Sequence, residues 1–327
     1  METLTREEIE KLNKAEYQNN DKSINRNYDP WIIEPLIPDK AITILDGLGG
    51  SGKSWFAMDL AFSISIGEGI DYKGQKIDFL GRYPVKRSGK VLYFTAEETP
   101  EAFVQRLDSI TMAYGDNDSF YWVSTLHEDF PFGSTLFQDT SWGITKTKTV
   151  DAIEYYIKKR RPILVVLDSL INFYGLNEND STQANMFYDV IKKWIKTYKC
   201  SFLILHHQTK EALRAKEEDG TFRGSIVFRE QARQRLTYRG IKMEKGKGIA
   251  RKVSIEKANF FSPLLEDFPI YLRWTEGVHI YDEQYEKEAK KQEEDRKKIL
   301  LKPKNNKQDK QGGRNNGDST NLTGKTF

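Results

Sequence analysis

The sequence predicts an α/β fold, a mostly parallel sheet with helices on both faces. Four near-continuous apolar runs, Ala41 to Leu45, Val91 to Thr95, Ile163 to Asp168 and Ser201 to Leu205, have the character of strands buried on both sides. Segments of helical period alternate with them, the pattern that builds parallel sheets. Between the first run and its helix lies Gly47-Leu48-Gly49-Gly50-Ser51-Gly52-Lys53-Ser54, which fits G-x-x-x-x-G-K-[ST] at every fixed position. A strand before and a helix after is the context that this motif requires.

Taken in order, residues 1 to 28 are polar, with a short helix expected from Glu7 to Tyr17 and an Asn/Asp-rich stretch behind it. Trp31 to Pro38 is an apolar strap leading onto the first strand. The helix after the glycine-rich turn places Phe56, Leu60, Ala61 and Ile64 at helical spacing and stops at Gly67-Glu68-Gly69. Asp71 to Lys90, with Gly74, Gly81, Pro84 and Gly89, is expected to be a surface excursion. After the second strand, Thr99 as N-cap and Pro100 at the first helical position open a helix with Phe103, Val104, Leu107 and Ile110 inward.

From Tyr114 to Lys148 the sequence is aromatic and irregular, and no element is assigned. Helices over Thr149 to Arg160 and Gln183 to Tyr198 precede the third and fourth strands. Then come a charged loop, Gln208 to Arg223, and a helical or mixed segment, Gly224 to Leu236. A strand near Leu236 to Tyr238, a Lys/Gly-rich turn from Lys242 to Lys252 and a strand from Val253 to Glu256 follow. Tyr271 to Trp274 and Val278 to Tyr281 flank a turn at Glu276-Gly277. Beyond Asp282 a charged helix and an Asn/Gln/Lys/Gly tail are expected, the tail disordered. The division is a polar extension, 1–29, a core, 30–282, and the charged helix with its basic tail, 283–327.

The 327 residues suit one large α/β domain with appendages, or two modest domains, and 38% hydrophobic with 30% charged residues suits a soluble chain. No apolar run approaches the roughly 18 residues that span a bilayer, so no membrane is expected. Met1 to Glu8 is acidic and polar, unlike a secretory signal, and the expected location is cytoplasmic. The single cysteine, Cys200, is expected to be a small buried residue. Net charge is +3, yet Arg296 to Phe327 holds nine Lys and Arg against two Asp and Glu, leaving 42 basic and 46 acidic residues elsewhere. The body is slightly acidic and the tail basic.

The glycine-rich turn implies a polyphosphate. Backbone N–H groups converge on an anion only where the chain curls tightly, and Gly47, Gly49, Gly50 and Gly52 permit such a curl. The helix starting near Lys53 adds its N-terminal amides. Lys53 is expected on the β- and γ-phosphates and Ser54 on Mg²⁺. Gly47, Gly49, Gly50, Ser51, Gly52, Lys53, Ser54 and Trp55 are thus the nucleotide-binding candidates, with ATP and Mg²⁺ the expected ligands. Asp168, ending an apolar strand, is the candidate to hold Mg²⁺ opposite Ser54. Glu97, after the second strand, is the candidate to activate water. Glu98 competes with it, and strand alternation predicts that only one of the pair faces the phosphate. His206 and His207 end the fourth strand on the same edge, where a histidine could sense the γ-phosphate.

Gly-Gly-Ser-Gly-Lys-Ser, Thr-Ala-Glu-Glu, Leu-Asp-Ser-Leu, Leu-His-His, Arg223-Gly224-Ser225 and Lys257-Ala258-Asn259 occur in that order. Together, over residues 30 to 282, they resemble the RecA-like hexameric ATPases of the plasmid RepA replicative helicase type. The resemblance implies a RecA-like P-loop NTPase fold and a homo-oligomer, a ring of six, with ATP between neighbours and single-stranded DNA as the track. Lys53 and Ser54 would be the phosphate-loop pair, Asp168 the Mg²⁺ residue, Glu97 the base and His207 the sensor. Arg233 would be an arginine finger reaching the neighbour's site, with Arg229, Arg235 and Arg239 crowding the same region. Arg106 would lie near the adenine. The departures are Glu-Glu-Thr where the family more often has Glu-Asp-Pro, and long insertions at 71–90 and 115–148. A replication initiator or primase would be a further partner.

Two basic segments are candidates for DNA: the loop from Gln208 to Arg223, diluted by Glu211, Glu217, Glu218 and Asp219, and the turn carrying Lys242, Lys245, Lys247, Arg251 and Lys252. A solvated loop of mixed charge is the bland alternative. Three activities stay open: a DNA helicase or translocase, an ATPase that loads or remodels proteins on DNA without unwinding, and a nucleotide-gated regulatory module.

Overall fold

The computed structural model describes residues 4–16, 25–71, 73–208, 226–244, 248–275 and 277–301. The Arg223-Gly224-Ser225 motif, most of the 208–223 loop, Lys245, Lys247 and the tail from 302 onward lie outside them.

One nine-stranded sheet organises the chain. Its strands are β1 (Ile42–Leu48), β2 (Val91–Thr95), β3 (Phe120–Ser124), β4 (Leu164–Asp168), β5 (Ser201–Gln208), β6 (Gln234–Lys242), β7 (Ile249–Ala258), β8 (Ile270–Thr275) and β9 (Val278–Tyr281). In space they run β9-β8-β7-β6-β1-β5-β4-β2-β3. The six strands from β6 to β3 are mutually parallel, and β7, β8 and β9 extend the sheet as antiparallel hairpins.

The strand runs are continuously apolar because both faces are covered. In β4, Leu164 and Val166 join one core cluster while Val165 and Leu167 join the other. The same period of two divides Leu203 and Leu205 from Phe202 and Ile204 in β5. Helices α2 (Lys53–Ile66) and α3 (Pro100–Tyr114) cover the first face. On the second lie α4 (Lys148–Arg160), α5 (Leu170–Tyr174), α6 (Ser181–Tyr198) and α7 (Ile226–Gln231). The N-terminal helix, α1 (Arg6–Ala15), starts from a Thr5–Glu8 capping box and buries none of its residues. The charged C-terminal helix, α8 (Glu283–Leu301), packs on β7 and β8 through Ala289.

The structure corrects several sequence expectations. Residues 71–90 are not wholly a surface excursion, because Phe79, Leu80 and Tyr83 enter the core, Phe79 against Phe56 and Tyr83 against Phe268. The unassigned stretch 114–148 contains β3 and a hairpin, Phe137–Thr140 with Gly143–Lys146. The supposed turn 242–252 is strand at both ends: β6 continues to Lys242, and β7 begins at Ile249 and carries Arg251 and Lys252. Helix α2 is buried on nearly all sides rather than along one stripe, since β9 and α3 close over it.

Candidate active site

Parallel packing brings the carboxyl ends of β1, β2, β4 and β5 to one edge, where open α/β sheets gather their ligand groups. Opposite Gly47, the last residue but one of β1, stands His207 of β5. The turn is held by two local demands. A Cβ on Gly47 would meet the Tyr238 carbonyl oxygen at 2.5 Å, so β6 fits beneath the loop only if that residue is glycine. Gly52 has φ +97 as N-cap of α2, a left-handed conformation that suits glycine. Gly49, by contrast, has only His207 Nδ1 within 4 Å of its would-be Cβ, at 3.9 Å.

A cavity of about 300 Å³ opens over this loop, lined by Gly50, Ser51, Gly52, Lys53, Ser54, Trp55, Glu97, Glu98, Arg106 and His207. The structure thus brings together Glu97, His207, Arg106 and the loop residues proposed from sequence. A larger cavity, about 700 Å³, lies elsewhere, under Trp122, Phe130, Phe132 and Tyr155. It gathers aromatic side chains, with His127, Asp129, Lys148 and Asp151 among its lining.

Within the smaller cavity one hydrogen-bonded chain connects three candidates. The Lys53 ammonium donates to the Leu48 carbonyl at 2.9 Å and contacts His207 Nδ1 at 3.2 Å. An ammonium only donates, so Nδ1 accepts and the proton of a neutral His207 sits on Nε2. That nitrogen then donates to Glu97 Oε1 at 2.8 Å. Burial lowers the Lys53 pKa, against the carboxylates of Asp168, Glu97 and Asp46, which raise it. The His207 hydrogen bond, with help from Ser169, outweighs burial at Glu97 and brings its carboxyl down to about 2. The sign follows: a depressed carboxyl adds stability above its ordinary value and loses it as pH falls through the folded value. Glu97→Gln is expected to flatten the acid dependence of the urea midpoint between roughly pH 4.5 and 2. A variant curve parallel to the parent's across that window would refute the assignment.

Asp168 is buried beside this chain and accepts from the Tyr93 hydroxyl at 2.7 Å. Burial raises its pKa, opposed by hydrogen bonds from Tyr93 and Ser54. Ser54 and Asp168 therefore stand together. The alternation argument for the acidic pair needs correction, because both carboxylates line the cavity. Beyond the strand end the chain turns, Glu97 toward His207 and Glu98 into an ion pair with Arg106. Arg106 also lies over the Trp55 ring, 4.9 Å from its centroid, and Trp274 meets Trp55 edge-on at 5.4 Å.

The two histidines part company. His206 is buried against Asp46 at 2.8 Å, with Arg235 on the other carboxylate oxygen, and serves the strand interior. Arg233 is exposed at the start of β6, its backbone tied to Ile42 and Asn259. Because β6 runs parallel to β1, that is the opposite end of the sheet from the phosphate loop of the same chain. Lys252, a DNA candidate, instead pairs with Glu293 of α8 at 3.0 Å. Arg251 stands beside Gly52, its Nε 3.7 Å from where a Cβ would be. Cys200 is buried, its thiol pushed up to about 12, and is no nucleophile.

Sequence reasoning missed four members of the site: Tyr93, Ser169, Asn172 and Trp274. Ser169 and Asn172 donate to Glu97 Oε1 at 2.5 and 3.2 Å. Ser169 carried a signal, since it follows Asp168 directly, but nothing in the order of residues ties it to Glu97.

The cradle fits a nucleoside triphosphate with Mg²⁺. Ser51 Oγ is buried in it without a hydrogen-bond partner in the protein, as a donor awaiting an anion would be. Among the described residues no cluster of three His, Cys, Asp or Glu side chains could hold a metal alone. Ser54 and Asp168 supply hard oxygen ligands of the kind that hold Mg²⁺ together with phosphates. When bound, the ion would neutralise charge on the β- and γ-phosphates.

Among the described residues no helix is long and apolar enough to cross a membrane. No curated protein matches the chain. A family model described as an AAA domain matches residues 8–212, which takes in the phosphate loop, Glu97, Asp168 and His207 and ends before Arg233. The cradle, its acidic partners and this match over more than half of the chain agree, and the protein belongs to the AAA-domain family of nucleotide-dependent ATPases.

Proposed function

We propose that the protein hydrolyses ATP to drive movement on single-stranded DNA, as a replicative helicase or translocase working in a ring. The observation that carries the hydrolytic part is the Lys53–His207–Glu97 chain, which joins the phosphate loop to a carboxylate at the strand ends. Glu97 orients a water toward the γ-phosphorus and takes its proton; as the new P–O bond forms, the bond to the β-phosphate oxygen breaks and ADP leaves. Lys53 meets the charge that develops on the phosphate oxygens, and Mg²⁺, which Ser54 and Asp168 would hold, would supply further neutralisation there.

Support for the DNA track comes from the family resemblance and from topology. His207 and Gln208 end β5, and the charged segment from residue 209 follows directly, so a group that touches Lys53 leads into a candidate DNA loop. Exposed Lys242 at the tip of β6 is the second basic candidate. The remodelling alternative draws support from the 700 Å³ aromatic groove beside β3, an apolar surface of the type that proteins use for one another.

The deciding experiment measures ATP turnover with and without single-stranded DNA, together with displacement of a forked duplex. Stimulation with displacement supports the helicase. Stimulation alone supports the remodelling reading, and indifference to DNA leaves a nucleotide-gated module. Arg233, exposed and remote from its own phosphate loop, is the candidate finger for a neighbour's site. Such fingers are worth about 10³–10⁵ in rate, so Arg233→Ala is expected to poison mixed rings. Proportional dilution of activity on mixing would remove Arg233 from the role.

A further inference from the structure

Ser169 precedes α5 as its N-cap. A serine there ordinarily turns its hydroxyl back to accept an N–H of the first turn. Ser169 makes no such bond. Its fully buried hydroxyl donates instead to Glu97 Oε1 at 2.5 Å. Asn172, one turn on, sends Nδ2 to the same oxygen at 3.2 Å and to Ser169 Oγ at 3.3 Å. The backbone fixes this turn through the Ser169 carbonyl, which accepts from Asn172 N at 3.1 Å and Phe173 N at 3.3 Å. With His207 Nε2 as the third donor, all three bonds fall on Oε1 and none of them on Oε2. A helix cap given up for a carboxylate 72 residues away is a local rule broken, and such breaches cluster where function demands them.

We propose that Ser169 and Asn172 are positioning residues for ATP hydrolysis, holding Oε1 of Glu97 so that Oε2 faces the attacking water. This rests on the reading of Glu97 as the residue that orients that water. His207 alone leaves the carboxylate free to turn about its last bond, and two donors from the α5 turn stop that rotation. Positioning of this kind acts on turnover, not on nucleotide binding, because neither side chain lines the phosphate cradle.

The test uses the full chain and a phosphate-release assay that yields kcat and KM. Ser169→Ala is expected to lower kcat about tenfold or more with KM changed less than about twofold. Asn172→Ala, at a half-buried site that spares the fold, is expected to lower kcat about threefold. Ser169→Thr keeps the hydroxyl and should recover most of the rate. In a Glu97→Gln background, single-turnover measurement should show no further loss from Ser169→Ala, since the serine acts through that side chain. Parent kcat in both Ser169→Ala and Asn172→Ala, or the same fold loss in the Glu97→Gln background, would overturn the positioning role while leaving Glu97 in place. Parent turnover by Glu97→Gln alone would instead remove the water-orienting reading beneath it.

Discussion

Replacing Lys53 by alanine is expected to abolish ATP turnover, a loss of about 10³-fold or more. Lys53 is 4% exposed and stands inside the cradle, where few water molecules dilute its charge. Burial weakens its hold on the proton, and the surrounding carboxylates of Asp168, Glu97 and Asp46 offset this only in part. Alanine removes the cation that meets the developing phosphate charge. It also removes the donor that keeps His207 Nδ1 as an acceptor, and so disturbs the proton that His207 offers to Glu97. Phosphate release measured beside a circular dichroism check of folding reads the effect directly. Parent-rate turnover by Lys53→Ala would mean that the phosphates bind elsewhere.

The largest loss of stability is expected from Asp59→Ala. Asp59 is fully buried on α2, the helix that carries the phosphate loop at its N-terminus. Its carboxylate accepts from His279 N at 2.7 Å, His279 Nδ1 at 3.0 Å and the Tyr114 hydroxyl at 2.7 Å. Since Nδ1 donates to Asp59, Nε2 of His279 accepts the Tyr238 hydroxyl at 2.7 Å. One carboxylate thus joins α2 to β9, α3 and, through the imidazole, β6. Alanine strands these buried donors, and breaking a buried charged network costs about 3–5 kcal/mol. The urea midpoint should fall accordingly, and nucleotide affinity with it, because β6 supports the loop from below. A midpoint equal to the parent's would show that the network contributes nothing.

Much of the site is written in short stretches of chain. Gly47 to Ser54 announce the cradle, and Asp168 is marked by the four apolar residues before it. Their environments depend on neighbours a few positions away, so local pattern suffices. Phe120–Ser124 escaped because its aromatic residues alternate faces within an irregular, polar surrounding, and only pairing with β2 makes it a strand. Phe79, Leu80 and Tyr83 looked like part of a glycine-punctuated loop, and their burial follows from partners at Phe56 and Phe268.

Side-chain partnership across long separations could not be read in the same way. Glu98 is held in an ion pair with Arg106, Asp59 accepts from donors up to 220 residues along the chain, and Lys252 is bound to a helix that begins at Glu283. A phosphate loop and a run of buried strands follow from backbone conformation and burial, which act over a few residues. Which carboxylate meets His207, which histidine touches Lys53 and which serine abandons its cap depend on hydrogen bonds of about 3 Å between strands that only packing brings together.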